Sequence, residues 1–306
     1  MSSFLPDSIA RLENAVATAE ARGDDMVLAA SLRELAIARQ YRAETPEARE
    51  LCHQSYDVAK QVGDEQLAAE ALNTLGGIDL ATGSLDDARR NFLKAVELGG
   101  ATGVLRARVE QNLGILANIR GEQREALDHY ERSLEEYRAL SDEHGCAIAY
   151  HNLGMVNADR GRLDAASAYY QESFAIARRT GNTYLQALCL VNEGEVEVSR
   201  ARHDIGRDKA EAALRLFERL GVEGSKASAH RVIGMAHREA GRSTLAESAL
   251  QTSMEVAVST GSVPNQAEAS RELGLLYEDM GRTYDAQRWL NMAESLFRRL
   301  NCRKPA

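Results

Sequence analysis

The chain has 306 residues and a formal net charge of −9, with 37 lysines and arginines against 46 aspartates and glutamates. An acidic chain with no run of Lys and Arg lacks the basic stripe that binds phosphate backbones, which argues against a nucleic-acid partner. Aromatic residues make up only 5% of the chain, and the helix formers Ala, Leu, Glu and Arg dominate. This composition is typical of an all-helical protein with small residues at its helix contacts.

A Leu-Gly dipeptide returns about every 40 residues and organises the whole chain. A fixed period of 20 to 50 residues indicates a repeat array, in which each structural repeat packs on its neighbours. The clearest copy is Gln111-Asn112-Leu113-Gly114. Counting from it in both directions, the central positions of the repeats are Ala36, Gly76, Gly114, Gly154, Gly194, Gly234 and Gly274.

In chain order, residues from about 6 to 22 match only the second half of a repeat and predict a lone leading helix. We expect a capping helix in residues 1–23, seven helix pairs forming one superhelical domain in residues 24–301, and a tail in residues 302–306. Each pair consists of two antiparallel helices, A and B, because apolar residues recur at three- and four-residue spacing between two small-residue breaks. The breaks are mostly Gly, which supplies the left-handed backbone that ends a helix.

Helix starts follow the same register. Asp64, Asp142 and Asn182 stand where an A helix needs an N-cap, and Thr45-Pro46 reads as an N-cap followed by Pro at the first helical position of a B helix. Two irregularities interrupt the pattern. A two-residue deletion before Gly114 predicts an A helix with a late start or a shortened approach, and Glu193 in a core column predicts a kink or opening.

Catalytic, metal and membrane signatures are missing from the sequence. It has no phosphate loop, no metal-ligand spacing and no nucleophile elbow, so we expect neither an enzyme nor a cofactor or metal site. No window has the 18 apolar residues of a membrane span, and the start does not read as a signal peptide. The default expectation is a cytoplasmic protein. The scattered cysteines form no Cys-x-x-Cys pair; they are Cys52, Cys146, Cys189 and Cys302.

The repeat resembles the tetratricopeptide repeat. Leu113-Gly114, Gly121, Ala126, Tyr130 and Ser133 match that motif in type and order. The departures are a missing early aromatic residue in helix A, a missing closing Pro, and about 40 residues where the standard repeat has 34. Repeats of this length look like those of Pins-type polarity adaptors, kinesin light chains and some bacterial regulators. The resemblance implies an all-α, right-handed α-solenoid whose A helices line a concave groove.

The resemblance also implies which residues line that groove: those six, three and two before the central position, and those one, four and five after it. In related repeats, Asn two before the Gly grips a peptide main chain. The predicted binding residues are Arg108, Gln111, Asn112, Ile115, Ile148, His151, Asn152, Met155, Leu188, Val191, Asn192, Glu195, Arg231 and Arg271.

Each of these assignments has a structural alternative. Asn112, Asn152 and Asn192 form a ladder that either binds a peptide or bridges neighbouring helices. The apolar residues either anchor a peptide or belong to the core between helices. Arginines such as Arg231 and Arg271 either bind an acidic partner or pair with the acids around them.

The predicted function is a non-enzymatic scaffold or adaptor that binds a peptide segment or partner domain, without nucleic acid or membrane. The alternative is a sensor array that responds to a peptide or small ligand and controls a separate output protein. A third, weaker hypothesis is a homodimer formed through the terminal helices, where Tyr284 and Trp289 lie.

Overall fold

The computed structural model describes residues 6–42, 44–99 and 103–300, and the regular structure within these ranges is α-helix. The helices are α1 (Pro6–Arg22), α2 (Asp25–Tyr41), α3 (Thr45–Gln61), α4 (Glu65–Ala81), α5 (Leu85–Gly99), α6 (Gly103–Ile119), α7 (Gln123–Ala139), α8 (Glu143–Asp159), α9 (Leu163–Arg179), α10 (Thr183–Ser199), α11 (His203–Leu220), α12 (Glu223–Glu239), α13 (Ser243–Ser259), α14 (Val263–Asp279) and α15 (Thr283–Arg299). After α1, even numbers are A helices and odd numbers are B helices. The predicted all-α solenoid of helix pairs is confirmed.

The chain divides into two compact units, which are described separately. The amino-terminal unit comprises Met1–Leu116 and Glu135–Leu140, and the carboxyl-terminal unit comprises Ala117–Leu134 and Ser141–Ala306. Helices α1 to α5 belong to the first and α8 to α15 to the second. The predicted organisation into a capping helix, one domain and a tail stays a prediction, and the tail with Cys302 lies outside the described residues.

The helix ends follow the predicted signals closely. The side chains of Asp64, Asp142 and Asn182 each accept a hydrogen bond from the backbone N–H three residues later, at 2.9, 2.9 and 3.0 Å. These bonds satisfy N–H groups that a helix start leaves without partners. The predicted N-cap Thr45 is wrong by one residue, because Thr45 is already helical and Glu44 precedes it as the N-cap.

The deletion before Gly114 does not shorten the A helix. Helix α6 has 17 residues, as many as α4 or α8. Helix α5, which precedes it, has only 15 residues and ends at Gly99. The expected late start of the A helix is therefore wrong. The alternative expectation, a shortened approach, falls on residues 100–102, which lie outside the described residues.

The central Gly of most repeats makes room for a large side chain of the following B helix. A Cβ atom placed on Gly154 would lie 2.5 Å from the ring of Tyr170, and one on Gly76 would lie 2.6 Å from the ring of Phe92. Both rings are almost fully buried. The Leu-Gly column therefore exists because a helix surface without a side chain accepts a ring from its partner helix.

A second sequence column ties the two helices of a pair together. The hydroxyl of Ser173 on α9 donates to the carbonyl of Ala147 on α8 at 2.8 Å. Ser253 and Ser55 make the same bond to Ala227 and Ala29, at 2.8 and 2.7 Å. The small-residue column thus serves both close approach and hydrogen bonding between helices.

The irregular pair α10–α11 is packed more tightly, not opened. A Cβ atom on Gly194 would lie 2.9 Å from the carbonyl oxygen of Gly206, so the two helices meet backbone to backbone. Ala210 stands where the other B helices carry residues such as Tyr170. Because α10 meets α11 backbone to backbone, the expected opening is wrong. Small residues on both helices allow this close packing. Helix α10 is continuous over 17 residues, and the expected kink stays a prediction.

Glu193 is paired in this region. Its carboxylate lies 2.8 Å from the ammonium of Lys209 and accepts a 3.3 Å hydrogen bond from Gln171. Both partners lie on B helices, α11 and α9, on either side of α10. A buried carboxylate without such partners is costly, and these two contacts remove most of that cost.

Candidate functional site

A concave pocket of about 330 Å³ opens among the A helices α2, α4 and α6 of the amino-terminal unit. This volume lies in the range of ligand pockets, about 300–1,000 Å³. The pocket is lined by Arg33, Ile37, Gln40, Tyr41, Asn73, Thr74, Gly77, Ile78, Arg108 and Asn112. All but Ile78 occupy the offsets from the central position that the resemblance implies for a groove.

Only two of the residues predicted from the sequence, Arg108 and Asn112, line this pocket. The other predicted residues either do not line it or lie in the carboxyl-terminal unit. The residues of the first two repeats were missed because candidates were named only from the third repeat onward. Counting the same offsets from Ala36 and Gly76 would have found Arg33, Gln40 and their neighbours.

Two arginines of the pocket wall share one carboxylate. Arg108 pairs with Glu70 through a short contact, and an Arg33 nitrogen lies 3.6 Å from the other oxygen of the same carboxylate. Glu70 itself is not among the residues that line the pocket. The Nε atoms of Arg33 and Arg108 are buried and have no hydrogen-bond partner among the described residues. Two guanidinium groups against one carboxylate leave an excess of positive charge at the pocket wall.

The floor of the pocket carries hydrogen-bonded amides. Asn112 donates from Nδ2 to Oδ1 of Asn73 at 3.0 Å, across α6 and α4. A carboxamide has a donor and an acceptor, so this single bond leaves the amino group of Asn73 and the carbonyl of Asn112 available. Gln40 Oε1 is buried and accepts no hydrogen bond from any described residue. The pocket therefore offers both donors and acceptors.

Two further predicted residues of α6 lie outside the pocket lining. The Oε1 atom of Gln111 accepts a 3.3 Å hydrogen bond from the hydroxyl of Tyr137 on α7, within the amino-terminal unit. Ile115 is half-buried.

The carboxyl-terminal unit repeats the amide contact with a different residue. Nδ2 of Asn192 on α10 lies 2.9 Å from Nε2 of His151 on α8, at the same offsets as Asn112 and Asn73. Asn152, next to His151, is only 9% exposed. Its Nδ2 atom has no hydrogen-bond partner among the described residues. Of the three predicted ladder residues, Asn112 and Asn192 thus form hydrogen bonds to a neighbouring A helix. The amide N–H groups of Asn152 have no partner among the described residues.

Burial fixes the protonation state of His151. It lowers the pKa of the imidazole to about 4, and a hydrogen bond with Asn152 opposes this only in part. The ring is therefore neutral near pH 7. A neutral Nε2 accepts from Asn192, so Asn192 is left with a free carbonyl oxygen.

The predicted apolar lining residues divide by burial. Val191 is 3% exposed and belongs to a core cluster with Ala187, Ala210 and others, and Leu188 packs against that cluster. Met155 packs against the cluster around Tyr170, and Ile148 is half-buried. These contacts favour the core interpretation for Val191 and leave the half-buried residues with part of their surface accessible.

The predicted charged residues are engaged by neighbours. Arg231 makes two hydrogen bonds to the carboxylate of Glu195, at 2.7 and 3.3 Å. Burial lowers the pKa of Arg231, but the carboxylates of Glu195, Glu268 and Glu272 together raise it above its ordinary value. Arg271 contacts Glu268 at 2.8 Å and Glu272 at 3.1 Å. Both arginines therefore pair with carboxylates of this chain.

The terminal helix α15 is amphipathic. Tyr284 is 84% exposed, and Trp289 packs against a core cluster that includes Leu273 and Tyr277 of α14. The described residues contain no group of three or more His, Cys, Asp or Glu side chains placed to hold a metal ion. None of the described helices combines the length and apolar character of a membrane span.

Known structures with the same fold include Rap proteins. The chain superimposes on the apo form of RapI with a TM-score of 0.73 at 15% identity, covering 89% of this chain and 98% of RapI. It matches a Rap protein complexed with Competence and Sporulation Factor with a TM-score of 0.73 at 12% identity, covering 90% and 76% of the two chains. The Rap conjugation gene regulator of plasmid pLS20 in complex with the Phr* peptide gives 0.71 at 14% identity, covering 92% and 77%. These likenesses concern the fold.

Sequence comparison gives the family. No curated protein matches the chain. The family model of the tetratricopeptide repeat matches residues 27–99, 67–139, 145–219 and 225–299, which together cover more than half of the chain. The matched segments run through the columns described above, from the first A helix to the last B helix. This chain belongs to the tetratricopeptide repeat family.

Proposed function

We propose that this protein is a non-catalytic interaction scaffold that binds an extended peptide segment of a partner protein. The segment lies against A helices, as the offsets of the lining residues imply. Three observations support the proposal: the pocket between α2, α4 and α6, the amide groups that line it, and the repeat family. One of the Rap structures described above is a complex with the Phr* peptide, which makes a peptide the first ligand class to test.

The observation that carries the proposal is the set of amide groups with unused hydrogen-bonding capacity. In the amino-terminal unit these are the amino group of Asn73, the carbonyl of Asn112 and Oε1 of Gln40. An extended peptide presents N–H and C=O groups that no helix or sheet satisfies, and each needs a partner when it loses water. A carboxamide satisfies either type, so these residues suit main-chain recognition.

The carboxyl-terminal unit offers a second set of the same kind. The amide N–H groups of Asn152 and the carbonyl oxygen of Asn192 supply a donor and an acceptor on adjacent A helices. A buried donor without a partner costs about 1–3 kcal/mol, which a peptide carbonyl oxygen would recover. We therefore assign Asn152 a direct contact with the ligand and His151 the role of orienting Asn192.

The affinity follows from the cost of ordering a flexible ligand. A disordered segment loses conformational entropy on binding, so a few amide contacts and one or two anchors give micromolar dissociation constants, about −8 kcal/mol.

A peptide display experiment tests the proposal. The full chain is immobilised, and a library of random twelve-residue peptides, a size chosen for about three repeats of contact, is selected on it and sequenced. The double variant Asn73→Ala/Asn112→Ala removes both partners of one hydrogen bond, so no orphan is left, and Asn152→Ala removes the free donor. The matched control is Asn291→Ala on the exposed face of α15.

The expected result is a set of peptides that bind the parent chain and the Asn291→Ala control. Their dissociation constants should rise at least about tenfold in the double variant, since each lost hydrogen bond contributes about 0.5–1.5 kcal/mol. Peptides that bind all variants equally would show that binding does not use these amides, and the proposal would be wrong.

A second candidate function is a sensor that passes peptide binding on to an output protein. The observation that favours it is the likeness to a Rap protein described as a conjugation gene regulator. A selected peptide should then change the radius of gyration measured by small-angle X-ray scattering. An unchanged radius at saturating peptide would leave the scaffold as the function and exclude a large conformational response.

A further inference from the structure

Gly77 removes a side chain from the wall of the pocket among α2, α4 and α6. It follows the central Gly76 and lines the pocket. A Cβ atom placed on Gly77 would meet no atom within 4 Å, whereas one on Gly76 would lie 2.6 Å from the ring of Phe92. The same position in the other repeats carries a side chain, and these residues are Ile37, Ile115, Met155, Glu195, Met235 and Leu275.

Packing within the chain does not explain Gly77. A glycine in a helix interior is destabilising relative to Ala, and its usual justification is a turn, a close contact or the approach of a ligand to the backbone. Gly76 has that justification in the ring of Phe92, and no described residue supplies one for Gly77. A bare stretch of helix backbone offers a flat surface, so the wall at Gly77 suits a flat ligand.

Two guanidinium groups give the pocket wall its charge. Arg33 and Arg108 share the carboxylate of Glu70, which does not itself line the pocket. The Nε atoms of both arginines are buried and have no hydrogen-bond partner among the described residues. An arginine binds a phosphate through two parallel N–H donors, so this excess of positive charge suits an anion with several oxygen atoms.

The amides of the pocket present a donor and acceptors to the same space. Asn112 donates to Asn73 at 3.0 Å, which leaves the amino group of Asn73 and the carbonyl oxygen of Asn112 available. Oε1 of Gln40 is buried and accepts no hydrogen bond from any described residue. A base such as adenine carries an amino donor beside a ring-nitrogen acceptor, which is the pair of groups that a carboxamide recognises.

An exposed aromatic ring is also part of the pocket lining. Tyr41 is 63% exposed, and Ile37 and Ile78 add apolar surface. Bases of every type stack on exposed aromatic rings, because each base has a π-face. Around a volume of about 330 Å³, the arginines, the amides and the ring therefore match the phosphate, the polar edge and the face of one nucleotide.

We propose that this pocket binds a single nucleoside monophosphate whose base carries an amino group. The phosphate pairs with Arg33 and Arg108, the base hydrogen-bonds to the amides, and its face contacts Tyr41. A nucleic-acid polymer is not the ligand, because the chain is acidic and lacks the basic stripe that a phosphate backbone needs. A free nucleotide needs only the two arginines.

The nucleotide site overlaps the peptide site. The peptide main chain and the base use the same amides, Asn73 and Asn112, so the nucleotide competes with the peptide. This competition rests on the proposed function, whereas the binding of the nucleotide does not.

Equilibrium dialysis of the full chain measures nucleotide binding directly. The probes are adenosine monophosphate, adenosine, which lacks the phosphate, ribose 5-phosphate, which lacks the base, and inosine monophosphate, which lacks the amino group. Relative to adenosine monophosphate, the dissociation constant should be at least about tenfold higher for adenosine, which loses charged hydrogen bonds, and about threefold to tenfold higher for inosine monophosphate. Ribose 5-phosphate should bind at least about fivefold more weakly, because it cannot stack. Equal dissociation constants for all four probes, or no binding of adenosine monophosphate at millimolar concentration, would overturn the inference.

Three variants locate the site. Gly77→Leu introduces a better helix former whose Cβ atom meets no neighbour, so its thermal unfolding should not occur at a lower temperature than that of the parent chain. It should abolish binding of adenosine monophosphate, Arg108→Gln should raise the dissociation constant at least about tenfold, and Tyr41→Leu should raise it at least about fivefold. The matched control Gly224→Leu, where an added Cβ atom makes only ordinary contact at 3.9 Å, should bind like the parent chain. Parent-like binding by Gly77→Leu and Tyr41→Leu would place the nucleotide elsewhere and overturn the inference.

Competition separates this inference from the proposed function. Adenosine monophosphate at about ten times its dissociation constant should raise the apparent dissociation constant of a peptide that depends on Asn73 and Asn112 about elevenfold. A peptide that depends only on Asn152 should be unaffected. Such peptides without any nucleotide binding would overturn the nucleotide site and leave the scaffold intact. Nucleotide binding to a chain that enriches no peptide would support the site and contradict the scaffold, and nucleotide binding that leaves both kinds of peptide unaffected would overturn the competition.

Discussion

Nε2 of His151 and Nδ2 of Asn192 are 2.9 Å apart and join the A helices α8 and α10. The contact recurs in the amino-terminal unit as the 3.0 Å bond between Asn73 and Asn112. In both cases the residue three positions before the central Gly of one repeat contacts the residue two positions before the central Gly of the next repeat. These polar side chains therefore connect neighbouring repeats. A ligand can hydrogen-bond only to the donor or acceptor of each amide that the contact between repeats does not use.

The His151 contact predicts a dependence of stability on pH. Burial lowers the pKa of His151 from 6.5 to about 4. The unfolded chain binds a proton near pH 6.5, but the folded chain does so only near pH 4, because burial disfavours the charged imidazole. The stability from this group is present above about pH 6.5 and is lost as the pH falls toward 4, by about 3 kcal/mol in total.

The variant His151→Gln removes the titrating group and keeps an acceptor for Asn192. Urea unfolding at pH 7 and pH 4.5 should show a smaller pH-dependent loss than in the parent chain. His53→Gln, at an exposed position of α3, is the control and should behave like the parent. An equal loss in His151→Gln and the parent would show that His151 does not contribute.

The adjacent glycines of α4 should respond to Ala in opposite directions. Gly76→Ala places a methyl group 2.6 Å from the ring of Phe92 and should reduce the free energy of unfolding by about 1–3 kcal/mol. Gly77→Ala enters open space and should raise it by about 0.5–1 kcal/mol. Thermal unfolding measures both, and a destabilised Gly77→Ala would mean that the space above it is already filled.

The hydrogen bond from Ser173 to Ala147 should contribute about 1 kcal/mol to stability. Ser173→Ala removes it with little change in volume, so urea unfolding should occur at a lower concentration. The exposed Ser295 on α15 is the matched site, where Ala should be neutral or slightly stabilising because it is the better helix former. Equal effects at the two positions would show that the bond contributes nothing.

Lys209 should matter because of Glu193. Lys209→Met leaves the carboxylate of Glu193 with the hydrogen bond from Gln171 and should destabilise the fold by about 1–3 kcal/mol. Adding Glu193→Leu, the residue type that precedes Gly in other repeats, should recover the loss to within about 1 kcal/mol. The free energies of unfolding of the two single variants and the double variant give the coupling, and a coupling near zero would mean that the ion pair is not a stabilising contact.

Much of the fold follows from local chemistry. The caps at Asp64, Asp142 and Asn182 satisfy the first N–H groups of their helices, and the breaks fall where the backbone turns left-handed. The non-Gly residues Ser141 and Ala201 keep that conformation, with φ of 55° and 59°. At these two positions the repeat imposes a left-handed backbone conformation that Ser and Ala do not favour. The repeat period therefore predicted the helix ends better than the residue type did.

The candidate site was only partly accessible from the sequence. The groove offsets came from the family resemblance, and the structure shows residues at those offsets lining a pocket in the first repeats. Sequence alone did not distinguish Asn152, whose Nδ2 atom has no partner among the described residues, from Asn112 and Asn192, which are bonded to neighbours 39 and 41 residues away. It also did not predict that Arg33 and Arg108 share Glu70.

The amino-acid sequence by itself determined the helices, their pairing and the family, because helix ends and the contacts within a pair depend on residues close together in the chain. Only the tertiary structure decided which polar side chains are already satisfied, because their partners lie one repeat away and are chosen by distance and direction. Gly76 and Gly77 show the difference, because the sequence has the same residue type at both positions. Only the packing shows that Phe92 fills the space next to Gly76 and that the space next to Gly77 is open.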